Sequence, residues 1–177
     1  MTAGSAPYVH PLPEIDDRRF RDALSHFVTG VVLVTAGARP DERVGVTVNS
    51  FTSVSLDPPL VLFCLGRRAK SLPVILSNRA FAANILGREQ RWIADRFSLG
   101  TRSWTGVETA TWVTGAPILV DAPAALDCVL QATHDGGDHV IVVGRVVRLD
   151  ADDDRPPLGY YRGNYVGIDR RKLPLRG

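Results

Sequence analysis

The sequence predicts a mainly β chain with a few helices, built as an antiparallel barrel or sandwich. β-Branched runs follow one another at short intervals, punctuation such as ARPDE and LDPP separates them, and no strand-helix-strand unit repeats along the chain. A doubly wound α/β fold needs that repeating unit, so it ranks behind.

Taken in order, residues 1–13 carry three prolines and no periodicity, and are expected to form an N-terminal arm. In IDDRRFRDALSHFVTG the apolar residues Phe20, Ala23, Leu24, Phe27 and Val28 recur at three and four, and acids lie in the first turn. That spacing predicts an amphipathic helix that Gly30 ends. VVLVTA, VGVTVNSFTSVSL and PLVLFCLG then give three or four strands. SLPVILSN reads as a short helix, AFAANIL as a strand, and EQRWIADRFS as a second amphipathic helix with Trp92, Ile93, Arg96 and Phe97 at helical spacing. Beyond a Gly/Ser/Thr-rich stretch come TATWV, then PILVDAPAALDCVLQATHD and HVIVVGRVVRLD, which read as one long hairpin about a GGD turn. GYYRG and NYVGI make a final short pair, and the basic tail DRRKLPLRG follows. The folded domain is expected over residues 14–168, with residues 169–177 as the tail.

With 177 residues the chain suits one domain, and folding would bury roughly 70 % of its unfolded surface. A net charge of +2 argues against nucleic acid as the main partner. The apolar runs are shorter than the roughly 20 residues of a membrane span, and no apolar signal core follows Met1. Cys64 and Cys128 lie in apolar runs, form no CxxC pair and stand at no zinc-ligand spacing from His10, His26, His134 or His139. A reducing cytoplasm and no metal are therefore expected.

GxGxxG after a strand, GxxxxGK[ST], HExxH and GxSxG are all absent from the sequence. Three segments carry chemistry instead. GVTVNSFTSVSLDPP packs Thr47, Asn49, Ser50, Thr52, Ser53 and Ser55 between apolar strands, which suits either a solvated strand face or a ligand edge of hydroxyls and backbone amides. GRRAKS sets Arg67, Arg68, Lys70 and Ser71 at a helix start, a solvated basic turn or a phosphate site. GDH puts His139 at the mouth of a hairpin, where imidazole can hydrogen-bond or exchange a proton near neutral pH.

Together with FRDALSHFVTGVVLVTA, FAANIL, GAPIL and ALDCVL, these segments occur in an order and spacing that resembles the short-chain flavin reductases that partner two-component monooxygenases. The match spans about residues 18–168, and its specific part is TVNSFTSVSLDPP followed at a distance by GDH. The resemblance implies a Greek-key, FMN-binding split β-barrel, a homodimer, and reduction of FMN or FAD by NADH or NADPH. It places the flavin ring against Thr47, Val48, Asn49 and Ser50, with Ser53 and Ser55 toward the ribityl chain. It makes Arg68, Ala69, Lys70 and Ser71 the phosphate side, while Arg67 falls where the family varies. Asn84 and Phe97 would line the flavin pocket, and His139 would be the catalytic-side residue where the nicotinamide docks. Leu99 and Gly100 follow Phe97 without the acidic insert usual in the family. Two other activities stay open on this scaffold: an FMN-dependent oxidase of a small substrate, and a non-catalytic flavin-binding module.

Overall fold

The computed structural model describes residues 14–98 and 103–168; the expected arm, the tail, and Leu99 with Gly100 lie outside them. The elements run α1 (Asp17–Ser25), β1 (Thr29–Gly30), β2 (Val32–Ala36), β3 (Val44–Val48), β4 (Thr52–Leu56), β5 (Pro59–Gly66), α2 (Leu72–Asn78) and β6 (Ala80–Ile85). They continue as α3 (Arg91–Ser98), β7 (Thr109–Thr111), β8 (Pro117–Leu119), β9 (Ala124–Gly136), β10 (His139–Ala151), β11 (Leu158–Tyr161) and β12 (Asn164–Gly167). All pairings are antiparallel.

The main sheet has seven strands in the order β3-β2-β6-β9-β10-β5-β4. Its two edge strands, β3 and β4, are therefore consecutive in sequence, joined only by residues 49–51. Laid flat, six inter-strand steps would separate them by about 29 Å. The linking residues span at most about 14 Å. The sheet must curl until its edges approach, which makes it a barrel split between β3 and β4. Ser50 pins the junction: its hydroxyl accepts from the Cys64 N–H at 3.0 Å and donates to the Cys64 carbonyl at 3.1 Å. A side chain thus replaces a ladder pair where the ladder stops.

Alternation along β5 turns Val61, Phe63 and Leu65 inward, where Phe63 meets Phe81 of β6 edge-on with centroids 5.1 Å apart. Gly144 of β10 faces that pair, and a Cβ there would lie 2.3 Å from the Phe81 ring. The ladder shifts register between Val143 and Gly144, so the long hairpin bends over the core at this point. Leu72 and Ile75 of α2 close one side of this core. A second apolar group, including Leu33, Leu86, Ile93, Phe97 and Leu158, lies under α3.

Two local expectations are corrected. The first helix stops at Ser25, and Thr29–Gly30 instead form β1, paired with Tyr160 and Gly159, so backbone pairing claims the residues expected to end the helix. No residue of α1 is buried, and its apolar stripe stays open, with Phe20 54 %, Leu24 57 % and the following Phe27 73 % exposed. The run expected to start the long hairpin divides at Asp121, which takes a left-handed φ of 64°. Pro117–Leu119 fold back on β7, and β9 begins only at Ala124. The final short pair is β11-β12, joined by β1 in a small three-stranded sheet.

Candidate active site

Where β3 ends at the split, Asn49 is exposed and lines two clefts. One, of about 900 Å³, lies against α1 and is also lined by Arg18, Arg21, Tyr160 and Arg162. The other, of about 500 Å³, is lined by Thr47, Val48, Asp95, Tyr160 and Tyr165. The Thr47 hydroxyl donates to the Ala94 carbonyl at 2.9 Å, and Val48 is buried. The Val48 side chain is turned away from solvent, while the Thr47 oxygen keeps lone pairs that can accept a hydrogen bond. Among the described residues β3 is an edge, hydrogen-bonded to β2 on one side, so it presents backbone N–H and C=O groups on the other. Thr29 also lines the larger cleft, with its hydroxyl sealed beneath the surface and without a hydrogen-bond partner.

The other expected residues gather around the end of β5. Ser50 is held at Cys64, and His139 stands opposite Gly66 in the β5-β10 ladder. The separation along β5 is two residues, about 7 Å. Residues 67–71 continue directly from there, with Arg68 and Lys70 exposed and Ser71 buried at the start of α2 without a side-chain capping bond. Arg67 turns back onto the β9-β10 turn: Nε donates to the Gly137 carbonyl and Nη2 to Asp135 Oδ1, both at 2.6 Å. Its backbone N–H donates to the Asp138 carbonyl at 3.0 Å. Gly137, with φ of 75°, makes the turn possible.

At the turn's far side Asp138 Oδ1 lies 2.7 Å from His139 Nδ1. With Nδ1 donating to that carboxylate, Nε2 is the open nitrogen of a half-exposed ring. The hydrogen bond from His139, then its charge, and with a smaller share the charge of Arg21 on α1, hold the Asp138 carboxyl below the usual carboxylate range. Asp135 is lowered likewise by the Gly137 N–H first and Arg67 second.

Ser53 and Ser55 lie on β4, the opposite lip of the split. Asn84 and Phe97, expected to line the flavin pocket, are enclosed in the core instead. Asn84 is 0 % exposed and its amide is consumed by the Leu33 carbonyl, Thr35 Oγ1 and the Leu119 N–H. Phe97 packs against Gly45, whose place a Cβ would fill 2.7 Å from the ring. Sequence reasoning missed the facing wall. Tyr160 and Tyr165 stack edge-on at 5.5 Å, and Arg91 lies 5.4 Å over Tyr165 while pairing with Asp95 at 3.5 Å. Burial, and next the charge of Asp95, raise the Tyr165 pKa. The signal for this wall was the aromatic and arginine content of GYYRGNY, read there only as a strand pair. Among the described residues, no three His, Cys, Asp or Glu side chains cluster to hold a metal. Edge-strand amides and nearby cations suit a flat polar heterocycle that carries phosphate.

The comparisons with known proteins agree with that chemistry. The profile described as "Flavin reductase like domain" matches residues 24–169. The reductase subunit HsaB of a flavin-dependent monooxygenase from Rhodococcus jostii RHA1 is 40 % identical over 159 residues, 89 % of this chain and 81 % of that protein. The FMN reductase (NADH) SmoA of Agrobacterium fabrum is 37 % identical over 88 % of each chain. Among solved structures, the NADH:FAD oxidoreductase SgcE6 of Streptomyces globisporus superposes with a TM-score of 0.82 at 32 % identity, covering 92 % of this chain and 100 % of the other. BorF, the flavin reductase component of a bacterial two-component tryptophan halogenase, gives 0.82 at 36 % identity over 88 % and 100 %. A split antiparallel barrel with an open edge strand, matched over most of its length by these proteins, belongs to the flavin reductase family.

Proposed function

We propose that the chain is an NAD(P)H-dependent flavin reductase that supplies reduced FMN or FAD to a partner monooxygenase. The observation that carries this reading is Asn49, at the end of an unpaired edge strand and shared by two clefts, in a chain of this family. Bound together, the two cofactors supply the chemistry, a hydride passing from nicotinamide to the flavin N5.

The chain's task is to bind, orient and leave one face open. The outward N–H and C=O groups of residues 47–49 pair with the polar edge of the flavin ring, and their dipoles favour negative charge developing there. Ser50 keeps that edge in place through Cys64. Arg68, Ala69, Lys70 and Ser71 hold the flavin phosphate, and Ser53 and Ser55 face the ribityl chain. Asp138 fixes the ring of His139, which orients the nicotinamide. No Rossmann domain is required, because a nicotinamide stacked on flavin needs no separate fold.

A homodimer accounts for the open apolar stripe of Phe20, Leu24 and Phe27, which a monomer leaves in water. Light scattering should give twice the 19.3 kDa chain mass. Two unpaired cysteines favour the cytoplasm, and no helix among the described residues is long and apolar enough to cross a membrane.

The test is anaerobic mixing with NADH and separately NADPH, first with excess FMN and then with FAD. Catalytic bleaching of the excess flavin is expected. Flavin binding without bleaching would overturn the reading in favour of an oxidase or a carrier. His139→Ala should raise the nicotinamide KM about tenfold, the size of one lost orienting contact of about 1.4 kcal/mol, with little change in flavin affinity. An unchanged KM and turnover removes His139 from the site.

A further inference from the structure

The turn that follows β5 carries three cations, and the fold uses them differently. Arg68 and Lys70 are exposed and pair with no carboxylate among the described residues. Arg67 is committed to the β9-β10 turn. Its Nε donates to the Gly137 carbonyl and its Nη2 to Asp135 Oδ1, an oxygen that also accepts from the Gly137 N–H at 2.9 Å. Its backbone N–H donates to the Asp138 carbonyl at 3.0 Å. One residue thus holds three residues of a turn far from it in sequence.

The Arg67 and Asp135 side chains are 47 % and 81 % exposed, and an ion pair so open to water adds little stability. What it fixes is position. His139 pairs with Gly136 on one side and Gly66 on the other, its Nε2 lies 3.9 Å from where a Gly66 Cβ would stand, and its Nδ1 is 2.7 Å from Asp138 Oδ1. In the opposite direction the Gly66 carbonyl accepts from the Ala69 N–H at 2.9 Å, which closes the turn leading to Ser71 and α2. Arg67 therefore stands between two groups that serve different ligands: residues 68–71 for the flavin phosphate, and Asp138 with His139 for the nicotinamide.

We infer that Arg67 is a positioning residue that couples the two, so that a flavin carrying its phosphate raises the affinity for the nicotinamide donor beyond what the flavin ring alone gives. This rests on the reductase reading. A phosphate on residues 68–71 takes up the motion of their turn, Arg67 passes that constraint to the β9-β10 turn, and the donor then has less left to order. By linkage the donor tightens the phosphorylated flavin by the same factor.

Riboflavin tests this, because it has the ring of FMN and no phosphate. NAD+ and NADP+, the oxidised donors, are titrated by calorimetry into the full chain saturated with FMN or with riboflavin, so that no turnover occurs, and melting curves confirm folding of each variant. The unmodified chain should bind the preferred donor about fivefold more tightly with FMN than with riboflavin. Arg67→Gln should bring the two affinities within about twofold of each other, while its own affinity for FMN stays within about twofold of the unmodified chain. In turnover with FMN, the same variant should raise the nicotinamide KM and leave kcat nearly unchanged. Asp135→Asn should reproduce the collapse, and the double variant should add nothing, since both changes break one contact. Arg67→Lys should restore part of the gap, because charge remains while the two-pronged reach does not. A gap that survives Arg67→Gln overturns the inference, as does its absence from the unmodified chain. A loss of FMN affinity in Arg67→Gln that riboflavin does not share also overturns it, by placing Arg67 on the phosphate itself. Failure of the reductase reading shows separately, as absent flavin bleaching by the unmodified chain with every flavin and donor.

Discussion

Two asparagines mark two regions of the same barrel that treat polar atoms in opposite ways. Asn84, on β6, belongs to a dry knot. Its Nδ2 donates to the Leu33 carbonyl at 3.1 Å and to Thr35 Oγ1 at 3.3 Å, its Oδ1 accepts from the Leu119 N–H at 2.7 Å, and Thr35 donates in turn to the Pro117 carbonyl. Nearby Asp127 accepts from the Thr114 N–H at 2.9 Å and from the Thr114 hydroxyl. These bonds tie β8 and the segment before it onto the sheet, and leave no polar atom of Asn84 for a ligand. Asn49, beyond the end of β3, is exposed between two clefts beside an edge no strand covers. The lesson is one of satisfaction: where the chain completes its own hydrogen bonds it builds stability, and where it leaves them open it builds a site.

The comparison breaks most visibly at the knot. Asn84→Ala orphans the buried Leu119 N–H, worth about 1–3 kcal/mol, and removes the amide bonds to the Leu33 carbonyl and Thr35, so urea unfolding should show a loss of about 3 kcal/mol with the slope unchanged. A loss below 1 kcal/mol would mean that water replaces the amide, and that the knot is not dry. At the rim, Asn49→Ala should move stability by less than about 0.5 kcal/mol, because its side chain is exposed. The same change should weaken flavin binding about fivefold to tenfold by fluorescence titration, the worth of one hydrogen bond. If stability falls and affinity holds, the roles of the two asparagines have been misread.

The smallest effect concerns the thiols, one on each side of the same divide. Burial, and next the adjacent Asp127, push Cys128 from its ordinary 9.0 to about 12. A raised acid favours the protonated folded state, so its contribution is present below pH 9 and declines as pH rises from 9 toward 12. A Cys128→Ala variant should lose stability more slowly over that interval in alkaline unfolding curves. At pH 8 a thiol reagent should modify half-buried Cys64 and spare Cys128 until the chain unfolds. Two thiols reacting in the folded protein would show that the interior opens there.

Much of this was legible from residue patterns. VVLVTA, PLVLFCLG, the GGD hairpin and the two later helices lie where alternation and helical spacing put them, because those patterns report local geometry directly. The hydroxyl-rich run does border the split, and GRRAKS and GDH do meet at the end of β5. Less could be read for individual side chains. Ser50, Thr47 and Asn84 look equivalent as polar residues in strands, yet their partners come from Cys64, Ala94 and Leu33. Nothing local names those partners. The stripe on α1 shows the same limit, since spacing announces an apolar face without saying what it faces.

The sequence by itself determined the alternation of strands, the few helices, the turn chemistry and the chemical inventory of the site, since each depends on residues near one another in the chain. The tertiary structure decided that β3 and β4, joined by three residues, are opposite edges of one curled sheet, that Asn84 is sealed while Asn49 stays open, and that α1 sets its arginines against a cleft. Each of these depends on pairings across tens of residues, where closure of the sheet and the satisfaction of every buried polar group select one arrangement from many that local propensity allows.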